Sequence, residues 1–323
     1  MSIMITGGLG FIGSHLANKL AARDDVSKII AVDMIPSSTL SGQIISCTDK
    51  IEFICVSILD EQRVIECAAR CSLIFHLAAE THVQNSIVDP RTAVHTNIIG
   101  TFSILEAARQ NRCRVIFTST SEVYGVPDER ITNSHPLEPY SPYAATKIAG
   151  DRLVAAYVRT YGINASVVRL FNTYGPGQYF EKLIPMLICS TLCNLPLPIQ
   201  GDGSATRDWS YVDDVCDRLI SLIPSESVGL CNLASGNTRT VNQIAVSIAA
   251  MSGRPAEILR YRERPGHVAS QAAAVSSIAE CFKPASTSFA DGLLKTYHWY
   301  QERIALWKPM FLQSRSGLLA KMQ

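Results

Sequence analysis

The sequence predicts a doubly wound parallel α/β sheet with a smaller, partly inserted C-terminal lobe. Short apolar runs in the first half are continuous rather than alternating, as in strands buried on both faces. Helical stretches separate those runs, the βα order that builds a parallel sheet. A glycine-rich loop joins the first run to the first helix.

Ile3-Met4-Ile5 is read as the first strand, and Phe11 to Ala22 as the first helix. Ile29-Ile30-Ala31-Val32 is the next strand and closes on Asp33. Ile51-Phe53-Ile54-Val56, Leu73-Ile74-Phe75 and Val115-Ile116-Phe117 are further strands. Helices are expected near Asp60 to Ala69, Val88 to Asn111 and Pro142 to Tyr161, the last leading to a strand at Ala165 to Leu170. After Asn172 the texture changes. Tyr174-Gly175-Pro176-Gly177 and Gly201-Asp202-Gly203 are turns, and Leu195-Pro196-Leu197-Pro198 is a Pro-rich connection. Helices follow near Lys182 to Cys193, Val212 to Ile223, Thr240 to Met251 and Asp291 to Arg303. A strand at Gly229 to Leu233 is expected to return to the main sheet. The expected division is 1–175 for dinucleotide binding with a return at 207–234, then 176–206 and 235–313 for the second lobe. Residues 314–323 are expected to be a frayed tail.

With 323 residues, 47% of them hydrophobic, the chain can bury a substantial core. A formal charge of +1 and the lack of a basic stripe argue against nucleic acid. No apolar run is long enough for a membrane span, and the N-terminus does not read as a signal peptide, so a cytoplasmic protein is expected. The ten cysteines are scattered. Cys67/Cys71 and Cys189/Cys193 have helical rather than metal-ligand spacing, so reduced buried thiols and no metal are expected.

The loop Thr6-Gly7-Gly8-Leu9-Gly10-Phe11-Ile12-Gly13 can turn tightly and bring backbone up to a pyrophosphate lying on a helix N-terminus. Alone, such a loop is an ordinary tight turn. Its place between strand and helix, and Asp33 about twenty residues further on, raise it to a dinucleotide fingerprint. A carboxylate there accepts from ribose hydroxyls and repels a 2′-phosphate, which favours NAD over NADP. Leu77-Ala78-Ala79 would let backbone approach a flat ligand or merely pack tightly. Asn97 could organise the backbone near the cofactor or be a satisfied core amide.

Ser119-Thr120-Ser121-Glu122-Val123-Tyr124-Gly125 and Tyr143-x-x-x-Lys147 carry the chemistry. Tyr143 and Lys147 share one helix face, where an ammonium can lower a phenol's pKa until it serves as a base. The strip ahead adds hydroxyls and one carboxylate at the end of a strand. This is a kit for taking a proton from a secondary alcohol while a hydride leaves its carbon.

These motifs, with His76-Leu77-Ala78-Ala79, Thr96-Asn97 and Asn172-x-Tyr174-Gly175-Pro176, resemble the extended short-chain dehydrogenase/reductase family and its nucleotide-sugar epimerases, dehydratases and decarboxylases. Glu181-Lys182-Leu183-Ile184-Pro185, Arg207-Asp208-Trp209-x-Tyr211-Val212-x-Asp214 and Arg264-Pro265-Gly266-His267 look most like the dTDP-glucose 4,6-dehydratase branch. The resemblance implies a Rossmann fold, bound NAD, a nucleoside-diphosphate-sugar substrate and a homodimer built through helices near 88–111 and 142–161. It assigns the cofactor to Gly7, Gly10, Phe11, Ile12, Gly13, Asp33, Ser57, Ile58, Leu77, Ala78, Ala79, Asn97, Ser119, Tyr143 and Lys147. Thr120, Ser121, Glu122, Tyr143 and Lys147 are the expected catalytic set. His82, Thr120, Asn172, Lys182, Leu183, Arg207, Arg264 and His267 are expected on the substrate, with Asn172, Lys182 and Arg207 at the diphosphate.

The chain departs from the family twice. Ser57-Ile58 stands where an Asp-Ile pair usually meets adenine, leaving that contact to backbone and Ile58. Thr120-Ser121-Glu122 stands where the dTDP-glucose dehydratases have Thr-Asp-Glu, so the acid for the departing 6-hydroxyl is an alcohol here. Three reactions share a 4-keto sugar. In 4,6-dehydration, the favoured reading, Glu122 takes the C5 proton, and Thr-Ser-Glu strips also resemble GDP-mannose 4,6-dehydratases. Decarboxylation of an NDP-hexuronate resembles the UDP-glucuronate decarboxylase strip but needs a cation for the 6-carboxylate. 4-Epimerisation needs neither Ser121 nor Glu122. A catalytically silent NAD-binding relative is the non-enzyme alternative, and the intact Tyr143/Lys147 pair argues against it.

Overall fold

The computed structural model describes residues 1–34, 45–46, 48–127, 129–224, 229–253, 257–263, 265–279, 281–320 and 322. β1 (Ser2–Thr6) runs into the glycine loop, and α1 (Phe11–Ala21) leaves it with Gly10 as an extended N-cap residue. β2 (Lys28–Asp33), β3 (Ile51–Cys55), α2 (Glu61–Ala68) and β4 (Leu73–His76) follow. The helical stretch expected as one piece from Val88 is broken. It comprises α3 (Val83–Val88), α4 (Pro90–Val94), a π-helical turn His95–Ile99 and α5 (Gly100–Asn111). The break has a local cause. Pro90 cannot donate a backbone bond, and the Asp89 side chain caps the new start by accepting from Arg91 N at 3.2 Å.

β5 (Arg114–Thr120) ends in a 3-10 turn, Ser121–Tyr124. α6 (Pro142–Tyr161) begins on Ser141, whose Oγ accepts from Ala144 N at 3.1 Å, with Pro142 in the first turn. β6 (Ala165–Leu170) and β7 (Asn172–Tyr174) follow, then α7 (Leu183–Leu192), β8 (Leu197–Gln200), β9 (Thr206–Tyr211) and α8 (Val212–Ser221). The chain ends through β10 (Leu230–Leu233), β11 (Thr238–Thr240), α9 (Val241–Ser252), β12 (Ile258–Tyr261), β13 (Ser270–Gln271), α10 (Val275–Ala279), α11 (Phe289–Glu302) and α12 (Ile304–Ala320).

Seven strands form one parallel sheet in the order β10-β6-β5-β4-β1-β2-β3. The strand order reverses between β1 and β4, the crevice where such sheets bind ligands. Alternate residues explain the unbroken apolar runs. Ile3 and Ile5 of β1 enter one core cluster and Met4 enters the other, so both faces are covered. The first cluster continues under the second lobe through Tyr174, Trp209 and Tyr211. That lobe holds a small sheet in which β9 pairs with β7, β11 and β13, and a separate β8–β12 pair.

Two expectations differ from the structure. The segment from Ser314 is helical to Ala320, the end of an α12 that is anchored ahead of it by the fully buried Trp307 and Phe311. Not all the thiols are reduced, since Cys231 and Cys281 form a disulfide with Cα atoms 6.2 Å apart. Sequence spacing could not show that pair, because the fold alone brings β10 beside the segment after α10.

Candidate active site

The glycine loop, the segment after β4 and the strip after β5 meet at the carboxyl edge of the sheet around the switch point. Gly7 adopts φ 70°, and an added Cβ would lie 2.9 Å from Ala78 N. A Cβ at Gly13 would run into the Gly7 carbonyl oxygen. The loop is thus packed backbone to backbone, and Ala78 is small because Gly7 abuts it. Thr6 holds the contact: its Oγ1 accepts from Ala78 N at 3.2 Å and lies 2.7 Å from His76 Nδ1. His76 Nε2 meets Thr101 Oγ1 at 3.1 Å. Burial, with the Lys147 charge second, pushes His76 down to about 3, so the ring is a neutral staple between strands and α5. Asp33 Oδ2 accepts from Leu9 N at 3.0 Å and ties the end of β2 to the loop. Ile58 is buried in the space left by Gly100, and Ser57 Oγ accepts from Leu59 N at 3.2 Å.

Asn97 is a satisfied buried amide that also ties backbone together. Its Oδ1 accepts from Glu80 N at 2.9 Å, while its Nδ2 donates to Glu80 O at 3.0 Å and to Thr146 Oγ1 at 2.9 Å. The π-helical turn therefore clamps the chain after β4 onto α6, one turn from Tyr143. Ser86 also positions that tyrosine, because its Oγ accepts from Tyr143 N at 3.0 Å.

The Tyr143 phenol is buried and hydrogen-bonded to the Thr120 side chain. Thr120 Oγ1 also accepts from Glu122 N at 3.2 Å, which fixes the start of the 3-10 turn. Lys147 Nζ donates to Thr118 O at 2.7 Å and sits 4.4 Å over the Phe117 ring. The expected lowering of the phenol by Lys147 does not operate in this arrangement. Burial raises the Tyr143 pKa, the Thr120 bond opposes it, and the charges of Glu122 and Glu80 raise it further. Burial also lowers Lys147 to about 8, with Asp151 opposing. The ammonium is engaged by a strand carbonyl and a ring face instead of the phenol.

Ser121 is turned away from a catalytic role as an acid. Its Oγ donates to Gln271 Oε1 at 3.0 Å, and Gln271 Nε2 donates back to Ser121 O at 3.0 Å. Gln271, Ser86, Thr146 and Glu80 were not singled out in the sequence. The first lies 150 residues from its partner, so no local pattern could have marked it.

In the second lobe, Arg207 is buried and donates to Thr206 O at 2.9 Å and Val268 O at 2.5 Å. Its neighbour Asp208 accepts from Ser235 N, Ser235 Oγ and Gly236 N within 2.8–2.9 Å, so this carboxylate holds a turn. Lys182 Nζ donates to Thr81 O at 3.1 Å and reaches across to the segment carrying His82. His82 caps α3 by accepting from Asn85 N at 3.3 Å. Asn172 pairs with Trp209 in the small sheet, and Leu183 opens α7 against the core. His267 Nδ1 lies 3.0 Å from Glu263 Oε1. Arg264 lies outside the described residues.

The profile of the GDP-mannose 4,6 dehydratase family matches residues 4–286. The chain is 33% identical over 318 residues to dTDP-glucose 4,6-dehydratase of Mycobacterium tuberculosis, with 96% of each chain covered. The structure of DesIV, a dTDP-glucose 4,6-dehydratase of Streptomyces venezuelae solved with NAD, superposes with a TM-score of 0.90 at 32% identity. That match covers 96% of this chain and 99% of DesIV. UDP-glucuronic acid 4-epimerase of Bacillus cereus gives a TM-score of 0.88 at 28% identity, covering 94% and 99%. The chain belongs to the extended short-chain dehydrogenase/reductase family of NAD-dependent nucleotide-sugar dehydratases and epimerases.

The residues of this family member fit a nicotinamide dinucleotide. Backbone leaves no room for a Cβ at Gly7, Gly8 and Gly13, Asp33 stands at the end of β2, and Ser119 Oγ is buried without a partner among the described residues. The described residues contain no cluster able to hold a metal ion and no helix able to cross a membrane.

Proposed function

We propose that the chain is an NAD-dependent NDP-hexose 4,6-dehydratase. The observation that carries this is the placement of Glu122 beside the Thr120–Tyr143 pair at the end of β5, in a chain similar along its length to dTDP-glucose 4,6-dehydratases. Bound NAD supplies a reversible acceptor for the C4 hydride. Tyr143 takes the C4 hydroxyl proton while Thr120 holds that oxygen; the positive nicotinamide of bound NAD would favour the phenolate that burial disfavours in the ligand-free site. The resulting ketone acidifies C5–H, which the Glu122 carboxylate removes. The electron pair of that bond forms C5=C6 as the C6–O bond breaks, and the departing hydroxide takes the proton from Glu122. Bound NADH would supply a hydride to C6, and the proton held by Tyr143 is the equivalent that balances protonation at C5.

Lys147 binds the nicotinamide ribose in this reading, and Asn172, Lys182 and Arg207 hold the diphosphate, as planar and point cations suit phosphate oxygens. We place the enzyme in the cytoplasm, where charged nucleotide sugars are retained. We also propose a homodimer, supported by exposed Val94, Ile99, Phe102, Val158 and Tyr161 on the α4–α6 region.

The test is incubation of the purified protein with NDP-hexoses and NDP-hexuronates, followed by mass spectrometry. Loss of water from an NDP-hexose is expected. Loss of carbon dioxide from a hexuronate, or a product of unchanged mass, would replace this reading.

A further inference from the structure

We propose that Gln271 is a positioning residue for the elimination step, acting through Ser121. Gln271 is wholly buried on β13, and its amide makes a two-point lock on Ser121: it accepts from Oγ and donates to the backbone oxygen, each at 3.0 Å. Ser121 is itself 2% exposed and opens the 3-10 turn that carries Glu122. The lock has two consequences. The serine proton is committed to Gln271, so this hydroxyl does not protonate the leaving group. The turn is also held at its first residue, which sets where the Glu122 carboxylate points relative to Tyr143.

The same short segment reaches the nucleotide side. Gln271 is the register partner of Arg207 in the β13–β9 pair, and Val268 O accepts from Arg207 Nη2. Segment 268–271 therefore holds Arg207 at one end and Ser121 at the other. A misplacement there acts first on the turn that carries the carboxylate; the Tyr143 backbone is held by Ser86 and α6, and its phenol meets the strip only through Thr120 at the end of β5. Gln271 touches neither substrate nor cofactor in this account.

The inference rests on the dehydratase reading, and the experiment separates the two. Loss of water by the wild type tests the reading. Gln271→Met, Ser121→Ala and the double variant, all in the full chain, test the lock on whichever 4-keto reaction the wild type performs. Each single variant should lower kcat about 10- to 100-fold, the scale of a small misalignment, with KM and bound NAD unchanged. The double variant should be no worse than the worse single one, since the pair acts as a unit. Single-turnover reduction of the nicotinamide, which reports C4 oxidation, should keep its wild-type rate, while solvent deuterium entry at C5 slows. Wild-type kcat in both single variants, multiplicative losses, or equal slowing of oxidation and C5 exchange would each overturn the lock. A wild type that turns over no NDP-sugar would remove the reading and the lock together.

Discussion

Burial acts in opposite directions on the two side chains of the Tyr143-x-x-x-Lys147 motif. It raises the phenol and lowers the ammonium, so without a bound ligand the site favours the neutral form of each. For Lys147 the sign can be worked through. Its ordinary value of 10.5 falls to about 8 on folding, so between those limits the unfolded chain binds more protons than the folded one. Stability from this group therefore rises with pH from about 8 to 10.5, by an amount on the order of 3 kcal/mol. Buried thiols and phenols whose values are raised lose stability over part of the same window, so the Lys147 share is read as a difference: chemical denaturation should show wild-type stability gaining on that of Lys147→Met as pH rises. An identical slope in the variant would remove Lys147 as the source of that gain. Tyr143→Phe keeps the ring and loses the proton acceptor. Turnover should fall by about 10²- to 10⁴-fold with the dinucleotide still bound, as absorbance of the purified protein would show. Unchanged turnover would exclude Tyr143 as the base.

At the scale of elements, the catalytic strip and helix depend on what braces them from behind. Asn97 satisfies the N–H and C=O of Glu80 and reaches Thr146, all from a buried amide. Asn97→Ala strands those groups and should cost about 2–4 kcal/mol, seen as a lower denaturation midpoint. Asn97→Asp should be no milder, because it turns a carboxylate oxygen toward the Glu80 carbonyl and buries a charge. The element scale also shows where sequence legibility ends. β6 and α6 have the limits expected, because their apolar pattern, Ser141 cap and Pro142 are local signals. The Thr120-Ser121-Glu122 strip and Tyr143/Lys147 also stand out as local patterns, but the Gln271 partner of Ser121 and the carbonyl partner of Lys147 do not. The π-helical turn, the Gln271 lock and the Ser86 contact were not legible, since each is a tertiary choice among residues whose types are ordinary. The Cys231–Cys281 disulfide belongs with these. It closes a loop of sequence separation 50, for which the chain-entropy account gives about 4 kcal/mol of stabilisation. Reduction with dithiothreitol should lower the unfolding free energy by up to that amount, seen as a lower denaturation midpoint. The catalytic strip, which contains neither cysteine, should keep its activity below the melting temperature.

On the scale of the molecule, the two lobes are held by one continuous core rather than a hinge. The first cluster runs from Ile3 and Phe75 of the main sheet through Tyr174, Phe180 and Tyr211 to Trp307 and Phe311. α12 is the last part of that body, and its helical character was hidden by Pro309 and by a weakly amphipathic sequence. What holds it is specific. Trp307 and Phe311 occupy successive turns of one face, both fully buried, and their rings meet edge to face at 6.0 Å. Trp307 Nε1 donates to Tyr300 O at 2.6 Å, and Phe311 packs edge-on against Phe180 at 5.4 Å. Removing the indole opens a large cavity and leaves the Tyr300 carbonyl without its donor. Trp307→Ala should therefore cost about 3–5 kcal/mol. Trp307→Phe retains most of the ring volume and loses the donor, so it should cost less. Denaturation midpoints for the two variants, with the same slope as wild type, would rank them in that order. A wild-type midpoint for Trp307→Ala would mean that α12 is undocked in solution, and the extension of the core beyond α11 would have to be withdrawn.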